Sequence, residues 1–180
     1  VAETLFQVDV KASTARRLAG AGPEEPTYSP DGTQVAYLRG NDLYRVEVAT
    51  AKETRLSTGG NETVFNGRLD WVYQEEVYGR GSFRAFWWSP DSKRLAYLSL
   101  DETKVPVFTL VDDRTQPQQL VRARYPKAGD PNPIARLGIV DLEGRTTRLE
   151  DLYAGRETLI VQVGWDPAGR LLAAHQDRVQ

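Results

Sequence analysis

Glu75 and Glu76 stand side by side in Asp70-Trp71-Val72-Tyr73-Gln74-Glu75-Glu76-Val77-Tyr78, among aromatic and β-branched residues. Two neighbouring carboxylates can accept charge-assisted hydrogen bonds from one cation, and a protonated amine offers three donors to meet them. In a plain strand, adjacent side chains point to opposite faces. The pair can serve a single ligand only if the chain turns or coils here. Phe86-Trp87-Trp88-Ser89-Pro90-Asp91 follows and reads as a strand running into a turn, so the coil must sit just upstream of a strand.

No other group of residues offers a reactive set. The chain has no Cys, which excludes disulfides, thiolate nucleophiles and Cys-ligated zinc, and fits a bacterial protein of any compartment. Its single histidine, His175, lies in Leu171-Leu172-Ala173-Ala174-His175, a strand running into a turn, and reads as structural. The Gly-x-Ser-x-Gly run of a hydrolase nucleophile elbow is missing, and Gly79-Arg80-Gly81-Ser82-Phe83 does not supply it. Asp101-Glu102 and Asp112-Asp113 read as solvated turns and not as calcium ligands. The expectation is a chain with no catalytic residue, no metal and no cofactor of its own.

The elements that carry the pair repeat. Tyr28-Ser-Pro-Asp-Gly-Thr-Gln-Val-Ala-Tyr-Leu38 returns as Trp88-Ser-Pro-Asp-Ser-Lys-Arg-Leu-Ala-Tyr-Leu98 and, more weakly, as Trp165-Asp-Pro-Ala-Gly-Arg-Leu-Leu-Ala-Ala174. In each, an aromatic ends one strand, Pro and Asp/Gly set a tight turn, and an apolar run begins the next. A second element interleaves with the first: Phe6 to Leu18 matches Tyr44 to Leu56, and Leu137 to Leu149 repeats both with a shorter turn. Each reads as strand, polar turn and return strand. Two hairpins per unit make a four-stranded antiparallel blade, the β-propeller pattern.

Pro30 and Pro90 lie 60 residues apart, and Pro90 and Pro167 lie 77 apart, against roughly 40–50 for a plain blade. The excess predicts insertions at about 61–84, which holds the Glu pair, and about 101–136. Three or so units do not close a ring of typically about 4–8 blades. Together with a start at Val1 and the absence of Met, this reads as residues 1–180 forming part of one larger propeller domain.

Composition bounds the partners. Hydrophobic residues make up 40% and charged residues 27%, ordinary for a globular protein, and the net charge of −2 offers no basic field for nucleic acid. No apolar run approaches the roughly 20 residues that cross a bilayer as a helix.

Asp70-Trp-Val-Tyr-Gln-Glu-Glu-Val-Tyr78, Trp87-Trp-Ser-Pro-Asp-Ser-Lys-Arg-Leu-Ala-Tyr97, Asp101-Glu-Thr-Lys-Val-Pro106 and Tyr125-Pro-Lys-Ala-Gly-Asp-Pro-Asn-Pro133 occur in that order. With them the chain resembles the N-terminal propeller of the dipeptidyl peptidase IV family of serine exopeptidases. The resemblance implies an all-β fold: three to four four-stranded blades of an eight-bladed ring, with a short helical insertion carrying Glu75-Glu76. It implies that Glu75 and Glu76 grip the free α-amino group of a peptide, with Tyr78 and Phe83 as candidates to line the same pocket. The position before the pair is often a third Glu in the family and is Gln74 here. The arginine that orients the substrate carbonyl in relatives is assigned to no residue of this chain, neither Arg16 nor Arg17.

The partners implied are a peptide with a free N-terminus and a C-terminal α/β-hydrolase domain of the same protein, which would hold the Ser, Asp and His. Homodimerisation when full length and a periplasmic or secreted location are further implications. The resemblance thus points to release of N-terminal dipeptides. A tripeptidyl aminopeptidase and a non-catalytic peptide- or protein-binding propeller are the competing readings.

Overall fold

Strands of the computed structural model, which describes residues 4–149 and 158–178, follow the repeat closely. They are β1 (Thr4–Asp9), β2 (Thr14–Ala21), β3 (Glu24–Tyr28), β4 (Gln34–Arg39), β5 (Asp42–Glu47), β6 (Glu53–Arg55), β7 (Val64–Asn66), β8 (Phe86–Trp88), β9 (Arg94–Asp101), β10 (Val107–Asp112), β11 (Gln119–Arg124), β12 (Ile134–Asp141), β13 (Thr146–Leu149), β14 (Thr158–Trp165) and β15 (Leu171–Asp177). Strands β3-β4-β5-β6 form one complete antiparallel blade. A second blade has the order β13-β12-β9-β7, with β8 also paired to β9. Pairs β1-β2 and β14-β15 flank these two, and β10-β11 is a separate hairpin between β9 and β12. The fold is a partial β-propeller, in which, among the described residues, only β3–β6 shows the plain four-strand unit.

The Ser-Pro-Asp turns explain why the hairpins recur. Ser29 Oγ donates to Asp31 Oδ1 (2.6 Å) and accepts from the Gln34 N–H (3.0 Å). Ser89 repeats this with Asp91 (2.6 Å) and the Arg94 N–H (3.0 Å). In the third copy Asp166 replaces the serine and accepts the Arg170 N–H directly at 2.8 Å. A short polar side chain that satisfies backbone groups beyond a proline makes the reversal locally favourable.

Alternation along the middle strands stacks the blades. Val35 and Tyr37 of β4 pack against Leu18 and Ala19 of β2. Ala36 and Leu38, on the opposite face of β4, pack with Phe86, Leu95, Tyr97 and Val140 of the next blade. Strand β9 repeats the arrangement one blade on, sending Ala96, Leu98 and Leu100 toward Ile160 and Val163 of β14. Strands buried on both faces read as near-continuous apolar runs, which is why Val35–Leu38 and Leu95–Leu98 show no polar alternation. Each fully buried Leu contributes roughly 1.5–3 kcal/mol.

The leading strand of the second blade is interrupted. Val64–Asn66 pair with Asp101–Ser99, and Phe86–Trp88 pair with Tyr97–Leu95, so β7 and β8 are two halves of one strand along β9. Between them Leu98 accepts from the Gly67 N–H (2.8 Å) and donates its own N–H to Ala85 O (2.9 Å). Residues 67–85 therefore leave and rejoin the sheet without breaking its ladder. Asn66 is fixed just before the exit by buried Asp42, which also accepts from Ser57 Oγ (2.7 Å) and pairs with Arg55 (2.5 Å).

Gly67 turns the chain out of the sheet at φ 79°, and a Cβ there would lie 3.2 Å from Leu38 Cδ2. Gly67→Ala is expected to destabilise by about 1–2 kcal/mol, because backbone strain and a crowded core act together. A lower denaturant midpoint with an unchanged m-value would show it.

Candidate functional site

The excursion between β7 and β8 carries both glutamates. Its base is hairpin-like: Ala85 N–H donates to Gly67 O (2.8 Å), and Leu69 N–H to Phe83 O (2.7 Å). From this stalk Asp70 starts a helical turn. Its carboxylate accepts from the N–H groups of Val72 (3.2 Å) and Tyr73 (3.0 Å), as a helix N-cap does. Tyr73–Val77 then form a π-helical turn, closed by the Tyr78 N–H on Tyr73 O (2.8 Å). The wider ring of a π-turn lowers the angle between successive side chains, and such turns concentrate at functional sites. This is the coil the adjacent acids required.

Both neighbouring blades hold the excursion. On one side Glu24 pairs with Arg68 (2.6 Å), and Glu25 accepts from the Phe83 N–H (2.7 Å) and Ser82 Oγ (3.1 Å). On the other, Ile160 of β14 donates its N–H to Tyr73 Oη (3.1 Å) and accepts from Tyr78 Oη at its carbonyl (3.2 Å). Burial pushes the Tyr78 hydroxyl up to about 12, so it remains a donor at any ordinary pH.

The two glutamates differ in their surroundings. Glu75 is half-buried and Glu76 exposed. With the Gln74 amide turned so that each end meets a complementary partner, its buried nitrogen donates to Glu75 Oε1 (3.0 Å) and its oxygen accepts from the Gly81 N–H (3.1 Å). Glu75 Oε2 is buried and forms an ion pair with Arg80, without an aligned hydrogen bond. Arg80 itself is 82% exposed, so this pair contributes no more than about 1 kcal/mol and is easily displaced. Among the described residues Glu76 makes no ion pair. The arrangement is one fixed and one free carboxylate on a rigid turn, which suits the capture of a small cation such as an ammonium group.

Other sequence-predicted residues take different positions. The Tyr78 ring packs between Tyr73 and Trp87, with centroids 6.2 and 6.0 Å away. Phe83 lies at the foot of the stalk under the Arg68 guanidinium, 5.0 Å from its ring. Trp71 packs on Tyr125 at 4.4 Å. His175 sits on β15 opposite Ile160.

The reading of Asp101-Glu102 as a solvated turn is wrong for Glu102. Glu102 is only 6% exposed and feels the charge of Asp70, itself buried beneath the helical turn. Burial, then the Asp70 charge, raise the Glu102 pKa to about 7, with Arg124 pulling the other way. Burial raises Asp70 as well. Glu102, Gln74, Arg80 and the Glu24-Glu25 pair were not singled out from sequence as parts of the site. Only Gln74 and Arg80 carried a local signal, by lying next to the glutamates.

With this geometry in view, the comparisons place the molecule. The chain belongs to the family described as the dipeptidyl peptidase IV N-terminal region, which matches residues 1–180. It is 32% identical to a probable dipeptidyl-aminopeptidase B of Talaromyces marneffei over 97% of this chain and 21% of that protein. It is 34% identical to venom dipeptidyl peptidase 4 of Apis mellifera over 85% of this chain and 21% of that protein. The crystal structure of Porphyromonas gingivalis dipeptidyl peptidase 4 superposes with a TM-score of 0.87 at 28% identity, over 98% of this chain and 26% of that one. The chain thus spans about a fifth of the length of the curated relatives it matches. These sequence relatives are fungal and insect, and give no support to the bacterial origin expected from the absence of cysteine.

Two outcomes are expected from the supports. Tyr73→Phe leaves the buried Ile160 N–H without an acceptor and should lower unfolding free energy by about 1–3 kcal/mol in denaturant titration. Glu102 binds its proton more tightly folded than unfolded, so its contribution is full below about 4.5 and is lost as pH rises through about 7. Glu102→Gln has no such slope. Unfolding measured from pH 4.5 to 8 should show the variant gaining on the parent by as much as about 3 kcal/mol.

Proposed function

We propose that this segment is the substrate-recognition part of a serine-type dipeptidyl peptidase, in which Glu75 and Glu76 bind the free N-terminal ammonium of a peptide. The observation that supports it most directly is the pairing of a fixed and a free carboxylate on a turn braced by two blades. The membership of the chain in the dipeptidyl peptidase IV N-terminal family supports the reaction class. In this reading the nucleophile, its base and their orienting acid come from an α/β-hydrolase domain elsewhere in the same protein, and this segment performs no bond chemistry.

The mechanism follows from charge and distance. A peptide ammonium displaces the exposed Arg80 from Glu75 and takes acceptors from both glutamates. Each hydrogen bond between charged groups contributes roughly 1.5–3 kcal/mol. A blocked N-terminus lacks the charge and leaves the two acids unmatched, so the site rejects it by penalty. Holding the terminus at a fixed place also fixes how far along the peptide the scissile bond lies, because the anchor cannot slide. The turn thus acts as a ruler for dipeptide release.

The full-length protein should hydrolyse Gly-Pro chromogenic dipeptides and leave their N-acetylated forms intact. Glu75→Ala and Glu76→Ala should each lower kcat/KM by at least about tenfold, the equivalent of one lost charged hydrogen bond. Unchanged kcat/KM in both variants would overturn the anchoring role.

A further inference from the structure

Gln74 is buried beside half-buried Glu75, and a buried amide needs partners for both its ends. One orientation of the amide gives it both, on two different segments: nitrogen to Glu75 Oε1 at 3.0 Å and oxygen to the Gly81 N–H at 3.1 Å. The chain between these contacts passes through Gly79 (φ 89°) and Gly81 (φ 108°), so the return of the loop depends on backbone that other residues rarely adopt. We propose that Gln74 is a positioning residue that clamps the Glu75 carboxylate in one rotamer and thereby sets the affinity for the substrate's ammonium. This rests on the amine-anchoring reading above.

In this chain an amide makes both contacts at once. Only a side chain that donates at one end and accepts at the other can join a carboxylate to a backbone N–H. A glutamate could accept from Gly81 but would face Glu75 Oε1 with a second acceptor, unless it carried a proton. A leucine would fill the space and make neither bond. Free of the clamp, Glu75 would populate several rotamers, and the ordering would have to be supplied on binding, which weakens the substrate complex.

The test uses the full-length enzyme and Gly-Pro-p-nitroanilide. Gln74→Leu should raise KM about tenfold with kcat within about twofold, the equivalent of one hydrogen bond to a charged acceptor. Gln74→Glu should raise KM similarly at pH 8 and recover toward the parent value at pH 5.5, where a protonated carboxyl can donate to Glu75. The leucine variant should show no such recovery relative to the parent. A purely structural role would lower the melting temperature of both variants and leave KM and its pH dependence unchanged. That result overturns the proposal, provided that Glu75→Ala still raises KM. If Glu75→Ala also leaves KM unchanged, the anchoring reading itself has failed.

Discussion

Everything at the candidate site depends on the way Leu98 closes the gap in its partner strand. By accepting from Gly67 and donating to Ala85, it lets residues 67–85 depart from the ladder and return with no backbone group left unpaired at the junction. An unsatisfied buried amide costs as much as a lost hydrogen bond or more, so an excursion from a leading strand needs this closure. Once it exists, the excursion can evolve its own contacts without weakening the sheet.

Rigidity at the turn comes from its neighbours and not from its own propensity. A five-residue helical turn has too few internal bonds to stand alone. Here Asp70 caps its start, Tyr73 and Tyr78 fasten it to Ile160, and Glu24 and Glu25 hold its stalk. Glu25 adopts φ 55° while doing so, a strain located at a support and not at the acids themselves. The glutamates are thus presented by a structure whose strength lies in adjacent blades.

The hairpins were legible in the sequence because their causes are local. Pro, Asp and a serine hydroxyl within a few residues determine each Ser-Pro-Asp turn, and the apolar runs after them are the strands buried on both faces. The need for a coil at Glu75-Glu76 was also legible, from the alternation rule alone. The supports were not. Glu24-Glu25 looks like any solvated acidic pair, yet its partners lie at Arg68, Ser82 and Phe83. Glu102 has the same difficulty: its burial follows from Asp70 arriving from a different part of the chain. The three-residue strand β7 is too short to show any period. Contacts of long sequence separation leave no local pattern, and the role of these residues lives entirely in such contacts.

The grip of Tyr73 and Tyr78 on Ile160 has a consequence for solubility and assembly. Among the described residues β14 pairs with β15 alone, and the N–H and C=O of Ile160 are bonded by Tyr73 and Tyr78. An unpaired edge of this kind is a template on which a foreign strand can add, leading to aggregation or misassembly. Two phenol hydroxyls occupy those groups without offering a continuing ladder of their own. The same pair of tyrosines that steadies the acidic turn thereby blunts an edge, so a substitution there would expose the protein to mispairing as well as loosen the site.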